Sequence, residues 1–379
     1  MKIRRFEFAD APAVAALWQY WFRNKTRVPV PGLVDLVRRI YLEDPNRDDE
    51  ITSLVAESDQ GGLQGFLGVT ATPVVVDGRA TMMAGVFPSV VDPTAPTAVA
   101  SLLLRKFLAG PQVFTVSDGG HAKFERIWET LGGQIAQLQS LYWMKPFRPS
   151  RVAASLALRG AGNLLLAPVL NPLADGLDWV ARQLAPRRLT AQVPEPVSPT
   201  RAASRATSLV EEPLTPGLLA EVAPAIHGKT RLRPVYREEH LSWLFGQMAR
   251  IRQQGELKAK LLRTRGGEAV GWYVYYLLPG GVSRLFALEM YDRHLDDAVD
   301  HLFADAETGG AGALIGRLEP RLRRPLVARH CLVDGGGSLL MVHSRDRSLM
   351  DEAALGRLAF SRLQGENWYW WGIISREVP

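Results

Sequence analysis

Cysteine is nearly absent. The 379-residue chain has one, Cys331, so it can build neither an intrachain disulfide framework nor a cysteine-rich zinc cluster. Residues 327–333 around it read as a strand, where a thiol acts as a small buried hydrophobe more often than as a nucleophile. A reducing compartment is implied. Long apolar runs are also missing. Residues 160–174 carry no charge over 15 positions but include Pro168 and Pro172, and a bilayer span needs roughly 20. The opening Met1-Lys2-Ile3-Arg4-Arg5-Phe6-Glu7 enters a strand pattern without the apolar core of a signal peptide, so a cytoplasmic location is expected. His227, His240, His294 and His301 are dispersed, with no metal-ligand spacing, and no metal is expected. His343-Ser344-Arg345-Asp346 are neighbours on one turn and cannot form a catalytic triad, which argues against a hydrolase.

The formal charge of +6 is unevenly placed. Lys145, Arg148, Arg151, Arg159, Arg182, Arg187, Arg188, Arg201 and Arg205 are opposed only by Asp175, Asp178 and Glu195. The rest of the chain is close to neutral. A nucleic-acid-binding domain would carry its basic face on the folded unit, so no nucleic-acid partner is expected. The basic stretch has an amphipathic helix pattern, with Leu173, Leu177, Val180 and Leu184 on one face. This leaves two readings of 150–190, packing on the protein's own lobes or peripheral contact with an anionic membrane. The second would put the protein at the inner face of the membrane.

One series of elements occurs twice. Strand, turn, strand, strand, helix, strand, helix is predicted over 53–133 and again over 257–337. Gly65 and Gly271, which open the second strand of each series, are 206 positions apart, and the helices starting near Thr97 and Leu295 are 198 apart. A nearly constant offset points to two related lobes. The predicted organisation is an N-terminal lobe over 1–149, a basic and Pro-rich connector over 150–213, and a C-terminal lobe over 214–379. Residues 138–144 read as the last strand of the first lobe. Asp118 reads as part of the cap of the helix through Phe124, Ile127, Trp128 and Leu131. The aromatic end, Trp368-Tyr369-Trp370-Trp371-Gly372-Ile373-Ile374, reads as a strand closing the second sheet.

The element order, with Val86-Phe87-Pro88 before a loop and Ala122-Lys123-Phe124-Glu125-Arg126-Ile127-Trp128-Glu129-Thr130-Leu131-Gly132 after it, resembles the GCN5-related N-acetyltransferase (GNAT) fold in tandem. Tandem lobes of this kind are similar to exopolysaccharide-associated acetyltransferases and Fem-type aminoacyl transferases. The resemblance implies an α/β (α+β) protein of two lobes, each a mixed, mostly antiparallel sheet flanked by helices. It also implies acetyl-CoA or another acyl-CoA as cofactor. In the family, a glycine-rich loop presents backbone amides to the cofactor pyrophosphate at a helix N-terminus. Here the first lobe has Asp92-Pro93-Thr94-Ala95-Pro96-Thr97, without glycine and with two residues that lack an N–H. The second has Asp292, Asp296 and Asp297, which would repel a phosphate. Val86, Phe87, Thr94 and Thr97 are the cofactor-binding residues that the resemblance implies.

Acyl transfer to an amine needs a group to take the amine's proton. By the resemblance, Glu289 fits the base position on the strand before the second loop, although it could instead face solvent. Trp128 stands where the family has a tyrosine acid. Arg317 and Glu319, at a strand's carboxyl end, and Arg345 are candidate contacts to a substrate, with a local salt bridge as the other reading of the first two. The function expected is transfer of an acyl group from acyl-CoA to an amine of a small molecule, sugar or peptide. A catalytically silent binding or scaffold module and an aminoacyl-tRNA-dependent transferase are the alternatives.

Overall fold

The computed structural model describes residues 1–120, 122–148, 209–228, 230–335, 339–359, 363 and 369–374. Among the described residues, the strands and helices follow one another along the chain in this order. First come β1 (Lys2–Arg5), α1 (Ala11–Gln19), α2 (Leu33–Leu42), β2 (Leu54–Glu57), β3 (Leu63–Val76), β4 (Arg79–Val91), α3 (Val99–Leu108), β5 (Phe114–Gly120), α4 (Ala122–Thr130), β6 (Gln134–Ile135) and β7 (Tyr142–Pro146). Next are β8 (Leu209–Pro213), α5 (Pro216–His227), β9 (Leu232–Pro234), α6 (Glu238–Ala249), β10 (Glu256–Thr264), β11 (Ala269–Leu277), β12 (Val282–Met290) and α7 (Leu295–Thr308). The last are β13 (Ala313–Arg317), α8 (Arg323–Ala328), β14 (Leu332–Asp334), β15 (Leu339–His343), α9 (Arg347–Ala354) and α10 (Trp370–Ile374).

These elements form two compact units. The first takes the described residues of Met1–Ser140, Thr215–Gln253 and Gly336–Pro379, the second those of Leu141–Leu214 and Gln254–Gly335. The first unit's sheet runs β1-β2-β3-β4-β5-β15-β6, with β9 also on β3. All its pairings are antiparallel except β4 with β5. Its spine is the β3–β4 hairpin, turned by Asp77 and Gly78 at φ 49° and 81°. Two successive positive φ values give the turn whose twist suits a two-residue hairpin. On one face α2 buries Leu33, Leu36, Val37, Ile40 and Tyr41, a helical stripe. There Phe6, Trp18, Tyr41 and Phe66 meet edge to face. On the other face Leu103, Leu104, Phe107, Phe124 and Trp128 cover Leu67, Val69, Ala84 and Val86. Trp128 also donates its indole N–H to the Val342 carbonyl at 2.8 Å, which fixes α4 to β15.

The second unit's sheet runs β14-β7-β13-β12-β11-β10-β8. It is antiparallel except for β12 with β13. α7 buries Leu295, Ala298, Val299, Leu302 and Phe303 against Tyr273, Tyr275 and Leu288. Asp296 and Asp297 lie in its first turn, where negative charge complements the helix dipole. Arg329 grips Asp300 through two bonds of 2.6 and 2.8 Å and Asp296 through a third of 2.9 Å.

Each sheet contains a strand from the other part of the sequence. The strand expected over 138–144 as the last of the first lobe is instead β7 at Tyr142–Pro146, between β13 and β14 of the second sheet. β15 pairs with β5 and β6 in the first. The reason lies at the outer edges of β5 and β13. Each follows a helical crossover and leaves a free edge, and the wholly buried Leu340, Met341 and Val342 cover that of β5 while Trp143 packs beside β13.

Four local expectations are corrected. The aromatic end is helix α10 in the first unit, since Ile373 N–H donates to the Tyr369 carbonyl at 3.0 Å and both side chains are buried on one face. Residues 327–333 are not one strand: α8 ends at Ala328, His330 takes φ 55°, and β14 starts at Leu332. Asp118 lies inside β5 rather than capping α4. Residues 209–213, read as linker, are edge strand β8 on β10. The rest of the connector, including its amphipathic helix pattern and any membrane contact, lies outside the described residues. Among the described residues no helix is long and apolar enough to cross a membrane.

The exchange of strands predicts that a chain cut within 151–207 yields two fragments that are each unfolded alone, because each lacks a strand of its own sheet. Co-expressed, they should form one folded complex. Circular dichroism and size-exclusion chromatography check this. A first fragment that folds alone would contradict it.

Candidate active site

In the first unit β4 and β5 pair only at Met83–Phe114, Ala84–Thr115 and Gly85–Val116. Beyond these, β4 continues to Val91 and β5 to Gly120, so an opening begins at their carboxyl ends. Such ends are where α/β sheets receive ligands. Two groups bridge its start. Ser117 Oγ donates to the Val86 carbonyl at 2.7 Å. The Phe87 carbonyl accepts from Tyr41 at 2.6 Å and from Tyr369 at 2.8 Å. These hydroxyls reach it at a β3 bulge, where a Cβ on Gly68 would sit 2.4 Å from the Tyr41 oxygen. Burial holds Tyr41 neutral, raising its pKa well above the usual phenol value. Trp370 stands edge-on to Phe87 at 5.5 Å and to Phe22 at 5.0 Å. Arg23 donates to the Ile373 carbonyl at 2.8 Å.

The loop before α3 has few amides left to offer. Pro93 and Pro96 have none, Ala95 N–H donates to the Asp92 carbonyl, and Val99 N–H donates to that of Pro96. Thr94 is exposed, and its amide and hydroxyl both donate to Asp92 Oδ1, at 2.9 and 2.7 Å. Thr97 is exposed. Positive charge arrives from the segment after α1 instead. Arg27 pairs with Asp92 and, together with Thr94, holds its carboxyl well below the usual range. Trp21 donates to the Val91 carbonyl at 2.7 Å, and the Lys25 ammonium lies 4.6 Å from the Trp21 ring.

In the second unit the equivalent pair meets only at Val282–Ala313, Ser283–Leu314 and Arg284–Ile315. Its opening is filled by Arg321. That guanidinium donates to the Leu288 carbonyl at 2.6 Å, to Glu289 at 2.9 Å and to Glu319 at 2.8 Å. Glu289 is buried, not turned to solvent, and Glu319 joins it through the shared arginine. Arg317 stacks on Tyr142 at 5.8 Å and reaches its hydroxyl at 3.4 Å. Arg345 belongs to the first unit, where it donates to the Ala109 and Gly110 carbonyls at the end of α3.

No protein-family profile and no curated protein matches the chain. Solved structures do. A GCN5-related N-acetyltransferase from Kribbella flavida is similar over 94% of this chain and 73% of its own, at 14% identity and a TM-score of 0.52. One from Anabaena variabilis is similar over 90% and 72%, at 11% identity and 0.53. A probable N-acyltransferase from Enterococcus faecalis is similar over 90% and 72%, at 11% identity and 0.52. The chain has a GNAT-like fold. Within that fold the two parallel pairs occupy corresponding places in the element order, and their surroundings differ.

Sequence reading missed two buried groups. One is Asp118, wholly buried on β5; its place in a strand was hidden by the Gly119-Gly120 that follow. The other is a pair in the first unit, Asp44 and His240, 3.5 Å apart. Burial pushes Asp44 up to about 6 and, with the charge of Arg237, His240 down to about 4.

Two predictions follow from these geometries. Arg321→Met would strand Glu289 and Glu319 and lower stability by about 3 kcal/mol; adding Glu289→Gln should recover part of it, read by urea unfolding. For Asp44, a raised folded-state pKa means that its contribution is full below its ordinary pKa of 3.8 and lost as pH rises through about 6. Asp44→Asn should therefore gain stability relative to wild type on going from pH 4 to pH 8, by up to about 3 kcal/mol for a shift near two units. Equal melting-temperature differences at both pH values would refute this.

Proposed function

We propose that the protein is an acyl-CoA-dependent N-acyltransferase whose donor site lies in the first unit. The observation that carries this reading is the contrast between the two openings. In the first, the edge of β4 beyond Gly85 meets a loop supplied with cationic side chains. In the second, Arg321 already bonds the strand carbonyls, and the following helix begins with carboxylates. The second opening does not fit a phosphate-bearing ligand, and no step is assigned to it. There the alternative of a silent lobe is the better reading.

In the first unit Val86 and Phe87 would lie along the donor's arm. Lys25, Arg27 and the hydroxyl of Thr97 would face its phosphates, a role that glycine-loop amides play in the wider family. When bound, the donor supplies an activated acyl thioester. Arg27 must then divide its charge between the ligand and Asp92, so binding should be weaker than a full amide nest would give. A primary or secondary amine is the acceptor class, and two related lobes, one active and one structural, is the organisation that this reading favours.

Calorimetric titration of the purified chain with acetyl-CoA and longer acyl-CoAs should show one site per chain. The melting temperature should rise with ligand, because a ligand bound only by the folded state stabilises it. Lys25→Ala with Arg27→Ala should weaken binding at least tenfold, and more at low salt than at high salt. No binding at millimolar ligand would end this reading, and two sites per chain would contradict the closure of the second unit.

A further inference from the structure

A single exposed tryptophan is ordinary on a protein surface. Trp21 is exposed, but the segment that carries it is built with unusual care. After α1 the chain passes into a π-helical turn, Tyr20–Asn24, a distortion often found at functional sites. The turn ends on Lys25 at φ 62°. A non-glycine residue persists in this left-handed region only where its surroundings impose it. The buried Gln19 supplies that constraint. It donates to Asn24 Oδ1 at 2.7 Å and accepts from the Val30 amide at 3.2 Å. Asn24 Oδ1 also accepts from the Thr26 amide and hydroxyl, at 3.2 and 2.8 Å. One buried side-chain amide thus clamps both ends of 24–30, the loop that holds Lys25 and Arg27.

The clamped segment is fastened to the end of β4 at two consecutive residues. The Trp21 indole N–H donates to the Val91 carbonyl at 2.7 Å, and Arg27 pairs with Asp92. With its N–H engaged, Trp21 has only its ring to offer a ligand. The Lys25 ammonium lies 4.6 Å from the centre of that ring and 5.0 Å from that of Tyr20, which stands nearly perpendicular to it. Arg27 lies over the Tyr20 ring at 5.6 Å. A flat apolar ring and two cations therefore share one patch beside the loop that precedes α3. An ammonium over an exposed ring is weakly held, and a phosphate oxygen is the stronger partner. A phosphate would draw Lys25 from the indole and bare the ring. A phosphate alone would use the cations and leave the ring idle, and an apolar ring alone would do the reverse. A nucleotide uses both.

Resting on the reading of the first unit as the acyl-CoA site, we propose that Trp21 stacks on the adenine at the donor's nucleotide end, with Lys25 and Arg27 on its phosphates. Every base presents a π-face, so this contact sets affinity more than it selects the base. The Gln19 clamp holds the ring and both cations in place before the ligand arrives, which lowers the ordering cost of binding. Trp21 touches no reacting atom, so its part is to hold the donor and not to transfer the acyl group.

The test uses the full chain and calorimetric titration with CoA, ADP and pyrophosphate. ADP and pyrophosphate share their charged groups and differ by the nucleoside. Wild type should bind CoA and ADP at least tenfold more tightly than pyrophosphate. Trp21→Leu should weaken both at least tenfold, within the range of a lost base stack, and leave pyrophosphate within twofold. Trp21→Tyr should restore part of the loss. Lys25→Asn, which tolerates the left-handed region, should weaken ADP and pyrophosphate alike, and more at low salt than at high salt. Unchanged CoA and ADP affinity in Trp21→Leu, or pyrophosphate bound by wild type as tightly as ADP, overturns the proposal and leaves the acyl-CoA reading standing if CoA binds. ADP binding that depends on Trp21 in a chain that does not bind CoA upholds a nucleotide site and removes the acyl-CoA reading. Binding of neither removes both. If Trp21→Leu does not fold, Lys25→Asn decides, and ADP affinity equal to that of wild type refutes the site.

Discussion

Three residues of parallel pairing set the geometry of each sheet. Parallel strands must be joined by a crossover, and the crossovers through α3 and α7 bring β5 and β13 alongside β4 and β12 for only that length. After it, each pair leaves backbone groups that the sheet does not satisfy, and something must answer them. In the first unit Ser117, Tyr41 and Tyr369 do so. In the second it is the guanidinium of Arg321. The chemistry available at each opening follows from which side chain was recruited for this purpose.

Arginine and tyrosine are not equivalent here. Arg321 brings a full charge, which draws Glu289 and Glu319 around it and turns the opening into an ion-paired core. Its many donors reach both the strand carbonyls and the carboxylates, so little is left for a ligand. Hydroxyls satisfy the Phe87 carbonyl without adding charge. One fold thus holds an ion-paired polar centre in one unit and a bridge of uncharged hydroxyls in the other.

Much of the fold was legible in the sequence because it depends on local rules. Asp10 with Pro12, Thr215 with Pro216, and the apolar stripe of α7 mark helices wherever they occur. Gly65 and Gly271, the two glycines on which the repeat was read, are each held to glycine by close packing, for different reasons. A Cβ on Gly65 would meet Val99 of α3 at 2.8 Å, whereas one on Gly271 would meet the Met290 Cβ of β12 at 2.4 Å. The exchange of β7 and β15 was not legible. An apolar strand carries no label for the sheet it joins, and Leu340-Met341-Val342 would suit either. The aromatic end misled because bulky residues fit strands by propensity, while here tertiary contacts with Phe22, Tyr41 and Phe87 hold a short helix. Glu289 was found by position, but its arginine lies far along the chain. Asp118 was hidden by the glycines beside it.

β5 pairs with β15, a strand separated from it by about two hundred residues of chain. During synthesis the edge of β5, with Phe114 and Val116 on it, must wait until β15 has been made. An unpaired apolar strand edge is a template for pairing with other chains, and sheets closed late in synthesis are exposed for longest. The nascent chain therefore has reason to rely on a chaperone, and slow translation of the segment between β5 and β15 would put the part already made at greater risk of aggregation than the folded protein faces.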